Sequence, residues 1–465
     1  MIEAYSQFLA RKAIIDPPTG LSDIPAMPDV MLPMQAALVP WALRRGRAAL
    51  FAGTGLGKSL MELAWGQAVH RATGEDVIHF APLAVSAQLV REAAKFGIPA
   101  YLTGSEGDRA DAPAGAIPIT NYQKLRHFDL SRRAGVILDE SSILKSTDGH
   151  YRNELIAACQ SVPFRLAATA TPAPNDFMEL GNHAEFLGIL SQTDMLATFF
   201  AHDSGDTQKW RLKGHAEDDF WRWMASWSVM VRKPSDLGFS NDGYELPPLN
   251  YHEHLVASDA APSDGGLFAL PAQTLQERIA ARRETVAERC AYCASITPGD
   301  LPYVWWCNLN EESALLAKLI PGAVETRGSD SDDVKERKLR DFSEGRIRVL
   351  VTKPSVAGFG MNWQHCHRTG FTGLNDSWEQ FYQGVRRFWR FGQKQAVDVD
   401  IVTTEREGAT LANIRRKEAE ADRMAEAMVR HMADLSSAAV RGALRDIPLY
   451  QPALPVALPS FLEAA

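Results

Sequence analysis

Short apolar runs alternate with amphipathic stretches through most of this chain, the pattern of strand–helix units that build parallel sheets. In the first half, Ala48–Phe51, Val77–Phe80, Ala116–Ile119, Val136–Leu138 and Arg165–Ala168 read as buried strands, and Ser59 to His70 as the helix after the first of them. Between Phe177 and Trp227 the strand signal disappears, while Trp210, Trp221, Trp223 and Trp227 concentrate there. This stretch is expected to form a helical protrusion. Pro234 to Pro262, rich in Pro, Gly, Asp and Ser, reads as an irregular linker. Alternation resumes at Tyr303–Trp306 and continues through Ile347–Val351 to Val397–Val402. Glu407 to Leu435 carries Ala, Glu, Arg and Met without Pro, and predicts one long helix. The Pro-rich tail from Pro448 to Pro459 predicts extended or disordered chain.

The expected organisation is therefore α/β, with two parallel-sheet lobes. A first lobe spans 1–233 and bears the protrusion at about 177–233; a linker and connecting helix fill 234–300. The second lobe spans 301–404, and a C-terminal helix and tail occupy 405–465. A length of 465 residues is too great for one core and suits two or three domains. With 46% hydrophobic and 23% charged residues, the balance is that of a soluble globular protein. No apolar run is long enough to span a bilayer, and Met1-Ile2-Glu3 lacks the basic start of a signal peptide, so a cytoplasmic location is expected.

A net charge of −8 argues against a protein that coats nucleic acid by bulk charge, yet Arg386-Arg387-Phe388-Trp389-Arg390 is locally cationic. The five cysteines are few and odd in number, as in a reduced compartment. Cys290 and Cys293 form one CxxC inside a stretch that reads as helix (Arg282–Ile296). No second CxxC follows at zinc-finger spacing, although Cys307 and His365-Cys366-His367 lie downstream, so structural thiols are favoured over a metal site.

The strongest chemical signal is Ala52-Gly53-Thr54-Gly55-Leu56-Gly57-Lys58-Ser59, between a predicted strand and a predicted helix. Glycines let the backbone turn tightly so that its N–H groups surround phosphate oxygens, and the helix N-terminus adds favourable dipole charge. Lys58 can reach the β- and γ-phosphates of ATP, and the Ser59 hydroxyl can bind Mg²⁺. Asp139-Glu140-Ser141-Ser142 follows a later strand; a carboxylate there, Asp139, can hold Mg²⁺ through its water shell, and Glu140 can polarise an attacking water. Thr169-Ala170-Thr171-Pro172 follows another predicted strand and would otherwise pass for a turn or helix cap.

In the second lobe, Gln383, Arg387 and Arg390 are spaced to share one helix face. Aimed across a cleft, the guanidinium groups would stabilise charge that develops in phosphoryl transfer, while Gln383 orients the water. A surface helix whose arginines are solvated, or bind phosphate backbones, is the competing reading. Gly358 to Asn362 reads as a close-approach turn, with Gly360 at its tightest part and Asn362 placed for ribose or for the other lobe.

Taken in this order, the motifs resemble those of the superfamily 2 helicases of the DEAD/DEAH-box type. They look like those of the Swi/Snf-type branch, in particular its compact bacteriophage and prophage members, over about residues 30 to 435. Gln35 falls where that family reads adenine. Pro82 to Gln88 and Thr120-Asn121-Tyr122 resemble its strand-contacting segments. Thr169 to Pro172 resembles the motif that couples hydrolysis to lobe movement, and Asn175, Glu179 and Leu180 follow the family's pattern after it. Gln383 to Gln393 resembles its Gln-x-x-x-Arg-x-x-Arg-x-Gly-Gln signature. The resemblance implies two RecA-like lobes of the P-loop NTPase class, ATP and Mg²⁺ between them, and double-stranded DNA lying across both. It implies a DNA translocase, with a strand-separating helicase on DNA or RNA, or an ATP-gated adaptor without turnover, as alternatives. Asp-Glu-Ser-Ser departs from the family's Asp-Glu-Ala-His, which puts the coupling done by that His in doubt, and no histone-binding appendage accompanies the lobes.

Overall fold

A computed structural model describes residues 16–145, 149–173, 176–203, 206–257, 275–357, 362–375 and 377–441. Two all-parallel sheets carry the chain, as the alternating pattern predicts. The first has the order β3-β4-β2-β5-β6-β1-β9, with β1 at Arg47–Ala52, β2 at Val77–Ala81, β3 at Ala100–Leu102 and β4 at Ile117–Asn121. β5 is Gly135–Asp139, β6 is Phe164–Thr169 and β9 is Ser228–Val231. The second sheet has the order β10-β15-β14-β11-β13-β12. Its strands are β10 (Leu249–Val256), β11 (Tyr303–Cys307), β12 (Ala323–Glu325), β13 (Val349–Thr352), β14 (Arg368–Thr372) and β15 (Val397–Thr404). Central strands such as β1, β5 and β11 are buried along nearly their whole length. Helices cover both faces of a parallel sheet, which is why these strands read as unbroken apolar runs.

Three departures from the pattern have physical causes. The stretch from Phe177 to Trp227 is not a purely helical protrusion, because β7 (Phe200–Asp203) and β8 (Asp206–Leu212) form an antiparallel hairpin within it. Trp221, Trp223 and Trp227, on the helix Glu217–Trp227, are buried in the first lobe's core with Phe199 and Phe220. That helix feeds directly into β9, the seventh strand of the first sheet, which pairs with β1. The short apolar run Ser228–Val231 continues the apolar face of the helix before it and so gives no separate signal. The linker also contains a strand. β10 pairs in register with β15 from Leu249↔Val397 to Val256↔Thr404, so the second sheet takes an edge from a stretch assigned to irregular chain. An edge strand with mostly exposed side chains shows no alternation to read.

The long C-terminal helix runs from Gly408 to Val440 and ties the two lobes together. Ile414 joins the second lobe's core, whereas Met428 and Met432 join the first lobe's. His431 stacks on Trp221 with ring centroids 5.3 Å apart, and Asp422 pairs with Arg232 at 2.7 Å.

In the second lobe Cys290 and Cys293 belong to the core, on the helix Val286–Ile296, with burial pushing both thiols up. Beside them Arg289 is fully buried between Glu312 at 2.8 Å and Glu407 at 3.2 Å. This triad joins two helices of the lobe to the start of the C-terminal helix. Arg289→Met would leave two carboxylates buried without a cation and is expected to destabilise the second lobe by about 3–5 kcal/mol. The midpoint of its urea transition measures this; an unchanged midpoint would show that the triad is energetically neutral.

Candidate active site between the lobes

Strand β1 ends at Ala52, and the backbone then turns through Gly53–Gly57 into the helix Lys58–Thr73. Gly55 and Gly57 adopt left-handed φ values of 90° and 81°, which a side chain would strain. Both are also hemmed in. A Cβ on Gly55 would lie 2.7 Å from the backbone nitrogen of Phe391 in the second lobe, and one on Gly57 would collide with the Gln35 side chain. Lys58 Nζ folds back to donate to the Ala52 carbonyl at 3.0 Å, so its ammonium lies over the loop that its own helix continues. Ser59 follows in the first helical turn. Gly53, Thr54, Gly55 and Leu56 line a cavity of about 700 Å³ whose far wall includes Tyr244, Trp389 and Phe391.

Gln35 does not face this cavity. Its Oε1 accepts from Leu32 N at 3.0 Å and its Nε2 donates to Leu56 O at 2.9 Å. Here it braces the loop from behind, and contact with a base would require it to give up that bond.

Asp139 and Glu140 stand at the C-terminal end of β5, beside the loop at the end of β1 with only β6 between. Tyr122 Oη donates to the Asp139 carbonyl at 2.6 Å, and Thr169 Oγ1 donates to Glu140 Oε2 at 3.3 Å. Thr169 also accepts from Thr171 N at 3.2 Å, so the Thr169–Pro172 segment reports directly on the Glu140 carboxylate. Glu140 has φ 52°, the one positive φ outside glycine among the described residues. Strained backbone of this kind costs about 1–3 kcal/mol and concentrates at functional sites. Ser141 Oγ lies 3.1 Å from Nε2 of the buried His183, an imidazole supplied by the helix Leu180–Leu187 where the sequence has no His after Glu140.

The second lobe reaches in from the opposite side. The helix carrying Gln383 ends at Val385, so Gln383, Arg387 and Arg390 are not on one continuous helical face. Arg387 and Arg390 lie in the turns beyond it. Contact is nonetheless kept, because Arg387 Nη2 donates to Gln383 Oε1 at 2.9 Å and its Nε to the Gln383 carbonyl at 3.0 Å. Arg387 is only 2% exposed. Burial and the neighbouring charge of Arg390 push its guanidinium down to about 9, while Glu140 and Asp139 pull the other way. Arg390 is lowered by burial and held up by Glu92, Glu140 and Asp139. Both arginines thus sit in the field of the first lobe's carboxylates. Asn362 is exposed and does not line the cavity at the glycine loop, whereas its neighbour Trp363 is buried and its backbone N–H donates to the Arg387 carbonyl at 3.1 Å. Gly360 and Asn175 lie outside the described residues.

Sequence reasoning missed a buried pair beneath the loop. Glu62, one turn after Lys58, lies 3.0 Å from His79 on β2, and both side chains are wholly buried. Burial pushes Glu62 up to about 8, with Lys58 pulling it down, and pushes His79 down to about 4. A lone charged residue inside Leu60-Met61-Glu62-Leu63-Ala64, and a His in an otherwise apolar strand, were the available signals. Asp139 is raised well above the usual carboxylate range by burial and then by Glu62 and Glu140. Ser59, in the first turn after the glycine loop, and Asp139, at the strand end, are oxygen donors of the kind Mg²⁺ takes, although among the described residues no group of three or more Asp, Glu, His or Cys is placed to hold a metal ion by itself.

No protein-family model matches the chain, and no curated protein sequence matches it. Among solved structures, it is similar to a Sulfolobus solfataricus SWI2/SNF2 ATPase core in complex with double-stranded DNA. Identity is 16%, with 90% of this chain and 98% of that one covered, at a TM-score of 0.43.

The buried pair predicts a pH dependence of stability. Glu62 is raised on folding from 4.5, so its contribution is complete below about 4.5 and is lost as pH rises through 8. His79 is lowered on folding, so its contribution is complete above 6.5 and is lost as pH falls toward 4. Between pH 6.5 and 8 Glu62 dominates this pair. The melting temperature of the wild type is expected to fall across that window, and Glu62→Gln is expected to flatten the fall; equal slopes would remove Glu62 from the account.

Proposed function

We propose that this chain is an ATP-hydrolysing motor that moves on double-stranded DNA. The observation that carries the reading is the close packing of the second lobe's Phe391 backbone on Gly55 of the glycine loop, which brings Arg387 and Arg390 into the field of Asp139 and Glu140. In this reading the N–H groups of Gly55, Gly57, Lys58 and Ser59 and the Lys58 ammonium bind the phosphates of ATP, those of Gly53 and Leu56 being donated to Val231 O and Gly53 O. Mg²⁺, when bound, would offset phosphate charge, and Ser59 and Asp139 are the residues that would hold it. Glu140, oriented by Thr169, accepts the proton of the attacking water. Gln383, clamped by Arg387, positions that water, and the two guanidinium groups stabilise charge that develops as the terminal phosphate leaves.

Because these groups come from both lobes, a change at the phosphate alters the force between the lobes. That is how hydrolysis can become movement. For the track, the resemblance of Pro82 to Gln88 and Thr120 to Tyr122 to strand-contacting segments supports DNA. Pro82, Leu83, Tyr122 and Gln123 line a second interlobe cavity of about 680 Å³ whose charge is mixed, with Lys335 and Arg340 beside Asp332, Asp333 and Glu336. Contacts to phosphates carry no sequence information and suit a motor that must pass any sequence.

The test is ATP turnover by the full chain with duplex DNA, single-stranded DNA or RNA as stimulant, with Glu140→Gln as control. Duplex is expected to stimulate most, the more so with length until saturation. The protein is expected to displace a third strand from a triplex while leaving a forked duplex paired. Glu140→Gln is expected to bind ATP without turning it over. A fork unwound catalytically, with single strands the better stimulant, would replace translocation by strand separation. Turnover surviving in Glu140→Gln would remove the proposed base.

A further inference from the structure

Glu140 and the arginines belong to different lobes, so their alignment depends on what fixes one lobe against the other. Five residues after Glu140, at the end of the 3₁₀ turn Ser141–Lys145, the Lys145 ammonium pairs with the carboxylate of Glu379. Glu379 stands in the first turn of the helix Trp378–Val385, which ends in the Gln383–Arg387 clamp. One ion pair therefore ties the segment that carries the proposed base to the segment that delivers the arginines.

Both ends of the pair are anchored in their own lobes. The turn is pinned where Ile143 N donates to Glu140 O at 3.2 Å, and where Asn182 Nδ2 donates to Lys145 O at 3.1 Å. Asn182 is itself held by Arg152 at 3.0 Å. On the other side, Ser377 caps the helix by accepting from Gln380 N. The other described ion pair that joins the walls of this cavity, Arg91–Glu336, spans 3.9 Å between side chains that are both 48% exposed. Exposed pairs of that kind contribute about 0–1 kcal/mol. In the Lys145–Glu379 pair the Glu379 side chain is only 10% exposed and Lys145 39%, so the carboxylate end is shielded from solvent and salt. Glu140, Lys145 and Glu379 all line the same interlobe cavity.

We propose that Lys145 and Glu379 form an interlobe clasp that sets the register between Glu140 and the Arg387–Arg390 pair. They act as positioning residues and touch no reacting atom. The inference rests on the reading of this site as an ATPase. When the pair is broken the lobes still bind nucleotide, since the glycine loop is untouched, but base and arginines fall out of line. Misplacement by about 1 Å costs on the order of 100-fold in rate.

The experiment compares wild type, Lys145→Met, Glu379→Gln and the charge-exchanged double variant Lys145→Glu/Glu379→Lys, each as the full chain. Turnover, nucleotide affinity and the distance between spin labels on Arg71→Cys and Lys318→Cys are measured in each. Either single change is expected to lower kcat between about 10- and 100-fold, with nucleotide affinity within about twofold, and to broaden the interlobe distance. The exchanged pair is expected to recover most of the rate and the narrow distance, which general structural damage would not allow. Singles that leave rate and distance unchanged, or an exchanged pair no better than the singles, would overturn the clasp. A wild type without turnover would sink the ATPase reading alone, because the distance measurement still decides whether the pair closes the lobes.

Discussion

Everything at the cleft answers to one imbalance of charge. Three carboxylates, Glu62, Asp139 and Glu140, gather at the end of the first sheet, and the first lobe sets a single ammonium, Lys58, among them. Burial forbids the simple remedy of solvation, so Glu62 and Asp139 are driven toward the protonated form. Arg387 and Arg390 of the second lobe approach the same place, weakened as cations by burial and, for Arg387, by the charge of Arg390, while Asp139 and Glu140 act in the opposite sense. The contact between the lobes thus gathers charges of both signs away from water, and burial still outweighs their attraction.

The fold is arranged around that contact. Parallel strands put the glycine loop, Asp139–Glu140 and Thr169–Pro172 together at the C-terminal ends of β1, β5 and β6. The backbone of Phe391 sits so near Gly55 that no side chain fits between the lobes there. The C-terminal helix and the Lys145–Glu379 pair limit how the lobes separate, and the two interlobe cavities flank the contact.

Much of this was legible in the sequence, because motifs of this kind are fixed by local geometry. Gly53–Ser59 needs only a strand, tight turns and a helix, and Asp139–Glu140 needs only a strand end. The arginines were legible as a pair but not in their setting, since periodicity carries a helix through Arg390 while the chain leaves it at Val385. Gln35 could be placed near the loop, but its choice between a base and the Leu56 carbonyl depends on three-dimensional approach. β9 and β10 were hidden for opposite reasons: one is an apolar run continuous with a Trp-rich helix, the other an edge without an apolar face. Glu62, His79, Lys145 and Glu379 act through partners distant in sequence, which no local pattern announces.

If the chain hydrolyses ATP as proposed, neither lobe holds a complete site, and single-turnover hydrolysis and nucleotide affinity measured together in Arg387→Ala decide it. Affinity is expected to stay close to that of the wild type, because the loop and Lys58 are intact, with a rate lower by about 10³–10⁵. A near-normal rate with only nucleic-acid affinity reduced would contradict it, making Arg387 a phosphate-backbone contact and leaving the first lobe to work alone.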